Sequence, residues 1–248
     1  MKKRVEWFSE RLHQNVQVVR WGELGTPVLL FPTAGGDAEE IERFHIVTVL
    51  SDLLEQGRIK IYSCDSVAGR TWMTQEGSLE HRAHVQNMFH EFVAREVVPA
   101  IRKDCRNDEI ETIAAGASIG AYNALSVLCR YPEFFSHAVC LSGTFDLAKV
   151  IEAKLTEDLY EASPIHFVPG IEGEKLAKLR TRFALFASGE GRAEDIGESW
   201  RAAHILGSRQ IPNRVDSWGA DWDHDWPTWR RMLPQYLNEF AKKNSSDD

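Results

Sequence analysis

The stretch Gly116-Ala117-Ser118-Ile119-Gly120 constrains this chain more than any other. Before it, Glu111-Thr112-Ile113-Ala114-Ala115 is a short β-prone run; after it, residues 121–130 have helical spacing that stops at Tyr131-Pro132. The order strand, sharp turn, helix puts the serine in a strained backbone conformation with its hydroxyl pushed outward. On such a turn the residues two before and two after come close to neighbouring chain, where a Cβ would collide. Glycine at both places is what that geometry requires.

The rest of the chain reads as one α/β domain over residues 1–248. Strands are predicted at 16–21, 28–31, 59–62, 111–115, 137–141, 183–187 and 213–218, and helices at 46–56, 78–102 and 121–130, with others between and after the later strands. Alternating β and α elements imply a mostly parallel, twisted sheet covered on both faces. Residues 145–178 are too long for a simple connection and are expected to form a small cap or rim insertion before the strand that carries the acid. The tail at 242–248 has the composition of a frayed end.

The balance of 29 basic and 37 acidic residues, a formal charge of −8, excludes a phosphate backbone as the main partner, so no nucleic acid is expected. The start Met1-Lys2-Lys3-Arg4-Val5-Glu6-Trp7 lacks the apolar run of a secretory signal. No stretch approaches the roughly eighteen apolar residues of a membrane span. A cytoplasmic protein with no membrane partner is the expectation, and a homo-oligomer is left open. Cys64, Cys105, Cys129 and Cys140 show no C-x-x-C spacing, which predicts neither a disulfide nor a zinc site. His81 and His84, one helical turn apart beside Glu80, lack a third ligand and read as a solvated helix face. No metal and no cofactor are expected.

A serine hydroxyl attacks well only when a neutral imidazole takes its proton, and that imidazole needs a carboxylate to fix its tautomer. Where the serine sits on a turn of this kind, the acid and then the histidine follow it in the chain. His137 opens a predicted strand, His204 lies in a helical run and His166 belongs to the insertion. His224 lies in the turn-rich loop Gly219-Ala220-Asp221-Trp222-Asp223-His224-Asp225-Trp226-Pro227 and is the candidate base. The acid is sought after the strand ending at Ala187, in Ser188-Gly189-Glu190-Gly191-Arg192-Ala193-Glu194-Asp195, with Glu194 favoured, then Asp195, then Glu190. The tetrahedral intermediate needs two N–H donors: Ile119, and Ala34 or Gly35 from Phe31-Pro32-Thr33-Ala34-Gly35-Gly36. Arg70 and Trp72, after the strand at 59–62, are candidates for the border of a substrate pocket. Trp218, Trp222, Trp226 and Trp229 crowd the base loop, where they either wall an apolar acyl pocket or anchor the closing helix, and anchoring is favoured.

With these residues placed, the chain resembles the putative esterase family of α/β-hydrolases, which includes esterase D-like S-formylglutathione hydrolases, feruloyl esterases and mycolyltransferases. The likeness rests on residues 31–36, on Gly116-Ala117-Ser118-Ile119-Gly120-Ala121-Tyr122, on Leu141-Ser142-Gly143 and on His224-Asp225-Trp226-Pro227-Thr228-Trp229. It implies an α/β-hydrolase fold, a nucleophile at Ser118, a base at His224, and hydrolysis of a small-molecule ester or thioester through an acyl-enzyme. Acyl transfer on the same groups, and a hydrolase scaffold that only binds a ligand, are the alternatives. Many relatives carry a Gly-x-x-Asp acid, whereas Arg192 stands at that place here, so the choice among Glu194, Asp195 and Glu190 stays open.

Overall fold

A computed structural model describes residues 1–150 and 155–241. Its strands are β1 (Lys2–Ser9), β2 (Gln14–Trp21), β3 (Thr26–Phe31), β4 (Ile59–Cys64), β5 (Thr112–Ala117), β6 (Phe135–Leu141), β7 (Phe183–Ser188) and β8 (Asn213–Ser217). All eight join one sheet in the order β1-β2-β4-β3-β5-β6-β7-β8. Pairing is antiparallel from β1 to β2 and from β2 to β4, and parallel everywhere else. The helices are α1 (Glu40–Arg43), α2 (Ile46–Val49), α3 (Ser51–Glu55), α4 (Val67–Met73), α5 (Leu79–Phe92), α6 (Val98–Cys105) and α7 (Ile119–Arg130). The series continues with α8 (Leu147–Val150), α9 (Glu157–Ala162), α10 (Pro164–Phe167), α11 (Gly173–Leu179), α12 (Ile196–Ser208) and α13 (Trp226–Phe240).

The central strands are buried on both sides, and the two-residue period divides their side chains between two cores. Leu29, Phe31, Ala114, Cys140 and Phe186 face Phe89, Val97, Leu125 and Leu206 of the helices on one side. Val28, Leu30, Ile113, Val139 and Leu185 face Ile41, Leu50, Met232 and Tyr236 on the other. Because β3 to β8 run in one direction, the residues following Phe31, Ala117, Leu141, Ser188 and Ser217 gather along one carboxyl edge of the sheet.

The sequence and the fold part company in three places. Lys2–Ser9 forms β1, although its charged and largely exposed residues carry only the brief alternation of Val5 and Trp7; pairing with β2 along all eight positions decides its conformation. The helix expected over 46–56 is broken into α2 and α3, and the one over 78–102 runs on to Cys105 as α5, a π-turn at Val93–Val97 and α6. The four cysteines are unpaired. The insertion at 145–178 consists of short helices over the residues described, and the tail at 242–248 lies outside them. Among the described residues no helix is long and apolar enough to cross a membrane.

One buried polar network ties α4 and α5 to α7. Trp72 Nε1 donates to Gln86 Oε1 at 3.1 Å, and Gln86 Nε2 donates to Asn123 Oδ1 at 2.8 Å. His90 Nε2 lies 2.8 Å from Gln86 Nε2 and 3.2 Å from Asn123 Oδ1. Burial pushes the His90 imidazole down to about 3, with the positive charge of Arg130 acting in the same direction, so the ring stays neutral in the fold. Unfolding releases it to an ordinary value near 6.5. Between those limits the unfolded chain binds the extra proton, so the stability that this group contributes above about pH 6.5 is lost as the pH falls toward about 3. Thermal melts are therefore expected to fall on acidification through this window, with a share from His90 of up to about 1.4 kcal/mol per pH unit. In His90→Gln that share should vanish, and an unchanged slope would refute the assignment.

Candidate active site

Ser118 caps the end of β5 with φ 56° and ψ −123°, in a region that a side chain rarely adopts. The turn is tight enough that a Cβ on Gly116 would lie 2.4 Å from the carbonyl carbon of Gly120, and one on Gly120 would lie 2.7 Å from the carbonyl oxygen of Phe31. Two flanking glycines thus let β5, α7 and the end of β3 meet. The Ser118 N–H donates to Leu141 O at 3.0 Å, tying the turn to the end of β6. The serine itself is half-buried, at the head of the almost wholly buried α7.

The loop after β7 and the loop after β8 are laced together along their backbones. Trp218 N–H donates to Ser188 O at 2.9 Å, Glu190 N–H to Gly219 O at 2.9 Å, Gly191 N–H to Trp222 O at 3.0 Å and His224 N–H to Arg192 O at 3.0 Å. Asp223 adds hydrogen bonds from the Arg192 N–H at 2.6 Å and from its guanidinium at 2.9 Å. The packing is close enough that a Cβ on Gly189 would stand 1.9 Å from Trp222 O. This lacing carries His224 over the carboxyl edge.

Of the three candidate acids, Glu194 is the one that meets the histidine. Its Oε2 lies 3.6 Å from His224 Nδ1, and its side chain is 1% exposed against 25% for the imidazole. That separation is longer than a hydrogen bond and is an ion-pair distance. Glu190 instead accepts from the Ser217 hydroxyl, and Asp195 caps α12 by accepting from Gly197 N–H at 3.0 Å. The buried carboxylate is solvated by hydroxyls: Ser142 Oγ donates to Glu194 Oε1 at 2.5 Å and Ser188 Oγ to Oε2 at 3.0 Å. Trp229 Nε1 donates in turn to Ser142 Oγ at 3.0 Å, and its ring meets the His224 ring edge-on at 5.1 Å between centroids. Ser118, bonded to Leu141, and His224, packed on the tryptophan that holds Ser142, therefore share one edge of the sheet.

The loop after β3 closes a turn through Gly36 N–H to Thr33 O at 3.1 Å, with Ala34 and Gly35 as its central residues. That turn leaves their N–H groups outside its own hydrogen bond. Glu40 anchors it, accepting from the Thr33 N–H and hydroxyl at 2.7 Å each. Burial pushes the Glu40 carboxyl up against the downward pull of these two bonds. Ile119 starts α7, so its N–H is one of the four that an α-helix leaves unmatched. Trp72, Leu79, Ile119 and Ala148 pack against a buried group of Ala83, Tyr122, Leu147 and Leu159, which makes an apolar wall beside the turn. Trp72 is half-buried with the Arg82 guanidinium 5.9 Å from its ring, whereas Arg70 on the same helix is exposed.

Ser142, Ser188 and Glu40 are supports of the site that the sequence does not mark, and Trp229 supports it through Ser142 rather than only anchoring the closing helix. Ser142 lies in the Leu141-Ser142-Gly143 segment, whose left-handed φ of 48° at a serine has no signature in residue type. Position at the carboxyl end of a buried strand, one residue beyond β6 for Ser142 and the last residue of β7 for Ser188, is the available signal for the two serines. Nothing local marks Glu40, which reaches back seven residues to Thr33. Trp218 and Trp226 do act as anchors, through a bond to the Tyr236 hydroxyl at 2.7 Å and a stack on Phe44 at 4.4 Å. His137 lies in β6 with its ring stacked on Phe240 at 4.8 Å, and the other two later histidines lie in α10 and α12.

A family model described as putative esterase matches residues 38–240. No curated protein matches the sequence. Among solved structures, a ferulic acid esterase is 16% identical with a TM-score of 0.72, covering 97% of each chain. An S-formylglutathione hydrolase from Agrobacterium tumefaciens is 14% identical with a TM-score of 0.71, covering 98% of this chain and 96% of that one. The fluorophosphonate-binding serine hydrolase FphF from Staphylococcus aureus is 11% identical with a TM-score of 0.68, covering 98% of this chain and 99% of that one. These likenesses identify the fold as that of the α/β-hydrolases.

The contacts at Gly189 generate a stability prediction. Gly189→Ala has to push the Trp222 carbonyl out of its lacing and is expected to cost on the order of 1–3 kcal/mol. Gly207→Ala serves as the control, because it lies inside α12 with its nearest neighbour at 3.8 Å. It should gain roughly 0.5–1 kcal/mol from helix propensity. Denaturant titration of the two variants checks both signs.

Proposed function

The chain belongs to the putative esterase family, whose chemistry is ester hydrolysis, and on that premise we propose that it is a serine carboxylesterase using Ser118, His224 and Glu194. The observation that carries the reading is the buried Glu194 carboxylate against His224 Nδ1, at the same sheet edge as a serine in a left-handed turn. In the proposed reaction His224 Nε2 accepts the proton of Ser118 Oγ as that oxygen bonds to the substrate carbonyl carbon. Glu194 holds the proton on Nδ1 and stabilises the imidazolium that forms. The carbonyl oxygen becomes an oxyanion facing the N–H of Ile119 and that of Ala34 or Gly35. Collapse breaks the ester bond, His224 returns the proton to the leaving alcohol or thiol, and the acyl group stays on Ser118. Water then repeats the sequence: His224 takes one proton, the hydroxide adds to the acyl carbon, and the acid leaves as Ser118 regains its hydrogen.

Small acyl esters or thioesters are the proposed substrates. The apolar wall of Trp72, Leu79, Ile119 and Ala148 supports a substrate with an apolar part, and Trp72 is the better of the two predicted pocket residues because Arg70 points outward to solvent. The chain as a whole is proposed to act as one domain, with the 145–178 insertion as a rim.

Ser118→Ala is expected to abolish release of p-nitrophenol from p-nitrophenyl acetate while leaving the melting temperature in place. Turnover by a folded Ser118→Ala would end the proposal. Glu194→Gln should lower kcat by about 10³- to 10⁴-fold, whereas Asp195→Asn and Glu190→Gln should stay close to the unmodified enzyme. Equal mild losses in all three would remove Glu194 from its role.

A further inference from the structure

Along the β1–β2 side of the sheet, away from the strand β5 that carries Ser118, a groove of about 920 Å³ opens between α6 and the β1–β2 hairpin. Its floor is apolar, built from Val5, Trp7 and Val18. Positive charge comes from both walls, Lys3, Arg20 and Lys60 on the strands and Lys103 and Arg106 at the end of α6. Lys3 and Arg20 stand directly opposite each other in the antiparallel register of β1 and β2. Such a like-charge pair on one face opposes strand pairing. Lys60, on the next strand, is only 4% exposed. The single carboxylate of Asp104 serves two of these cations, at 2.6 Å from Lys60 Nζ and 3.1 Å from Arg20. One positive charge is thereby left over on side chains that are 13% (Arg20) and 5% (Lys60) exposed, where an unmatched charge is costly. Arg20 Nε is buried there too, with no hydrogen-bond partner among the described residues.

We propose that this groove binds an amphipathic organic anion, a carboxylate carried on an apolar body of medium length. The carboxylate meets Arg20, Lys60 and the more exposed Lys3 and Lys103, and the body lies on Val5, Trp7 and Val18. The volume is that of a small-molecule site. An inorganic anion would leave the apolar floor bare, and a neutral apolar molecule would leave the surplus charge unmatched. A chain of net charge −8 that gathers five cations against Glu23 and Asp104 on one lining concentrates attraction for an anion at that place. The proposal does not rest on the esterase reading, because the groove is lined by β1, β2, β4 and α6 and shares no residue with the site built around Ser118 and His224.

Isothermal titration of the full chain with octanoate, acetate and inorganic phosphate tests it. Octanoate should bind at one site per chain, at least about tenfold more tightly than acetate or phosphate, and more weakly as salt is added. The pair Lys3→Glu and Lys103→Glu, both at exposed positions, should weaken octanoate about tenfold or more while ester hydrolysis continues at its usual rate. Where the double reversal lowers the melting temperature, Lys103→Glu alone, at an exposed position on the rim of the groove, makes the same comparison. Three results overturn the proposal: no saturable octanoate binding, octanoate binding that ignores these variants, or phosphate binding as tightly as octanoate.

Discussion

The close meeting of β5, α7 and the end of β3 is the constraint on which the rest of this molecule depends. It is possible only where Gly116 and Gly120 present no side chain, and it forces Ser118 into a left-handed backbone. Strain of that kind persists only when its surroundings over-determine it. Here the surroundings are a parallel sheet buried on both faces and a helix that is almost wholly core. The rigid parts of the fold hold one hydroxyl at a place where the chain on its own would not keep it.

A second layer of the design concerns charge in a dry place. Glu194 is a carboxylate with 1% exposure, and ionised carboxylates are rarely left there without donors. Ser142 and Ser188 supply hydroxyl hydrogens, and Trp229 completes the hydrogen bonding of Ser142. Trp229 thereby supports both proposed partners of the serine at once, the acid through Ser142 and the base through ring contact. Glu40 does comparable work on the other side, holding the turn that offers Ala34 and Gly35.

What the sequence discloses follows from how local each signal is. The strand-turn-helix at Ser118, the alternating elements and the turn-rich loop at His224 are written within a few residues of themselves, and all could be read. The choice among Glu190, Glu194 and Asp195 could not, because it turns on how the loop folds after Ala187. There Asp195 is drawn into capping α12 and Glu190 toward Ser217, which leaves Glu194 to turn inward. β1 was illegible for a related reason: its residues are those of a solvated tail until β2 lies beside them. Ser142, Ser188 and Glu40 are ordinary residues whose roles exist only through distant partners.

Loops on the surface of a fold are usually where chain length drifts freely between relatives, since little else is pinned to them. The segments after β7 and β8 are not of that sort. Their backbones bond to one another at several successive residues, so an insertion or deletion in one would carry its neighbours out of step with the other. Histidine and carboxylate therefore sit on what behaves as a single rigid piece assembled from two stretches of chain, and descendants of this molecule can lengthen or shorten those stretches only by changing both together.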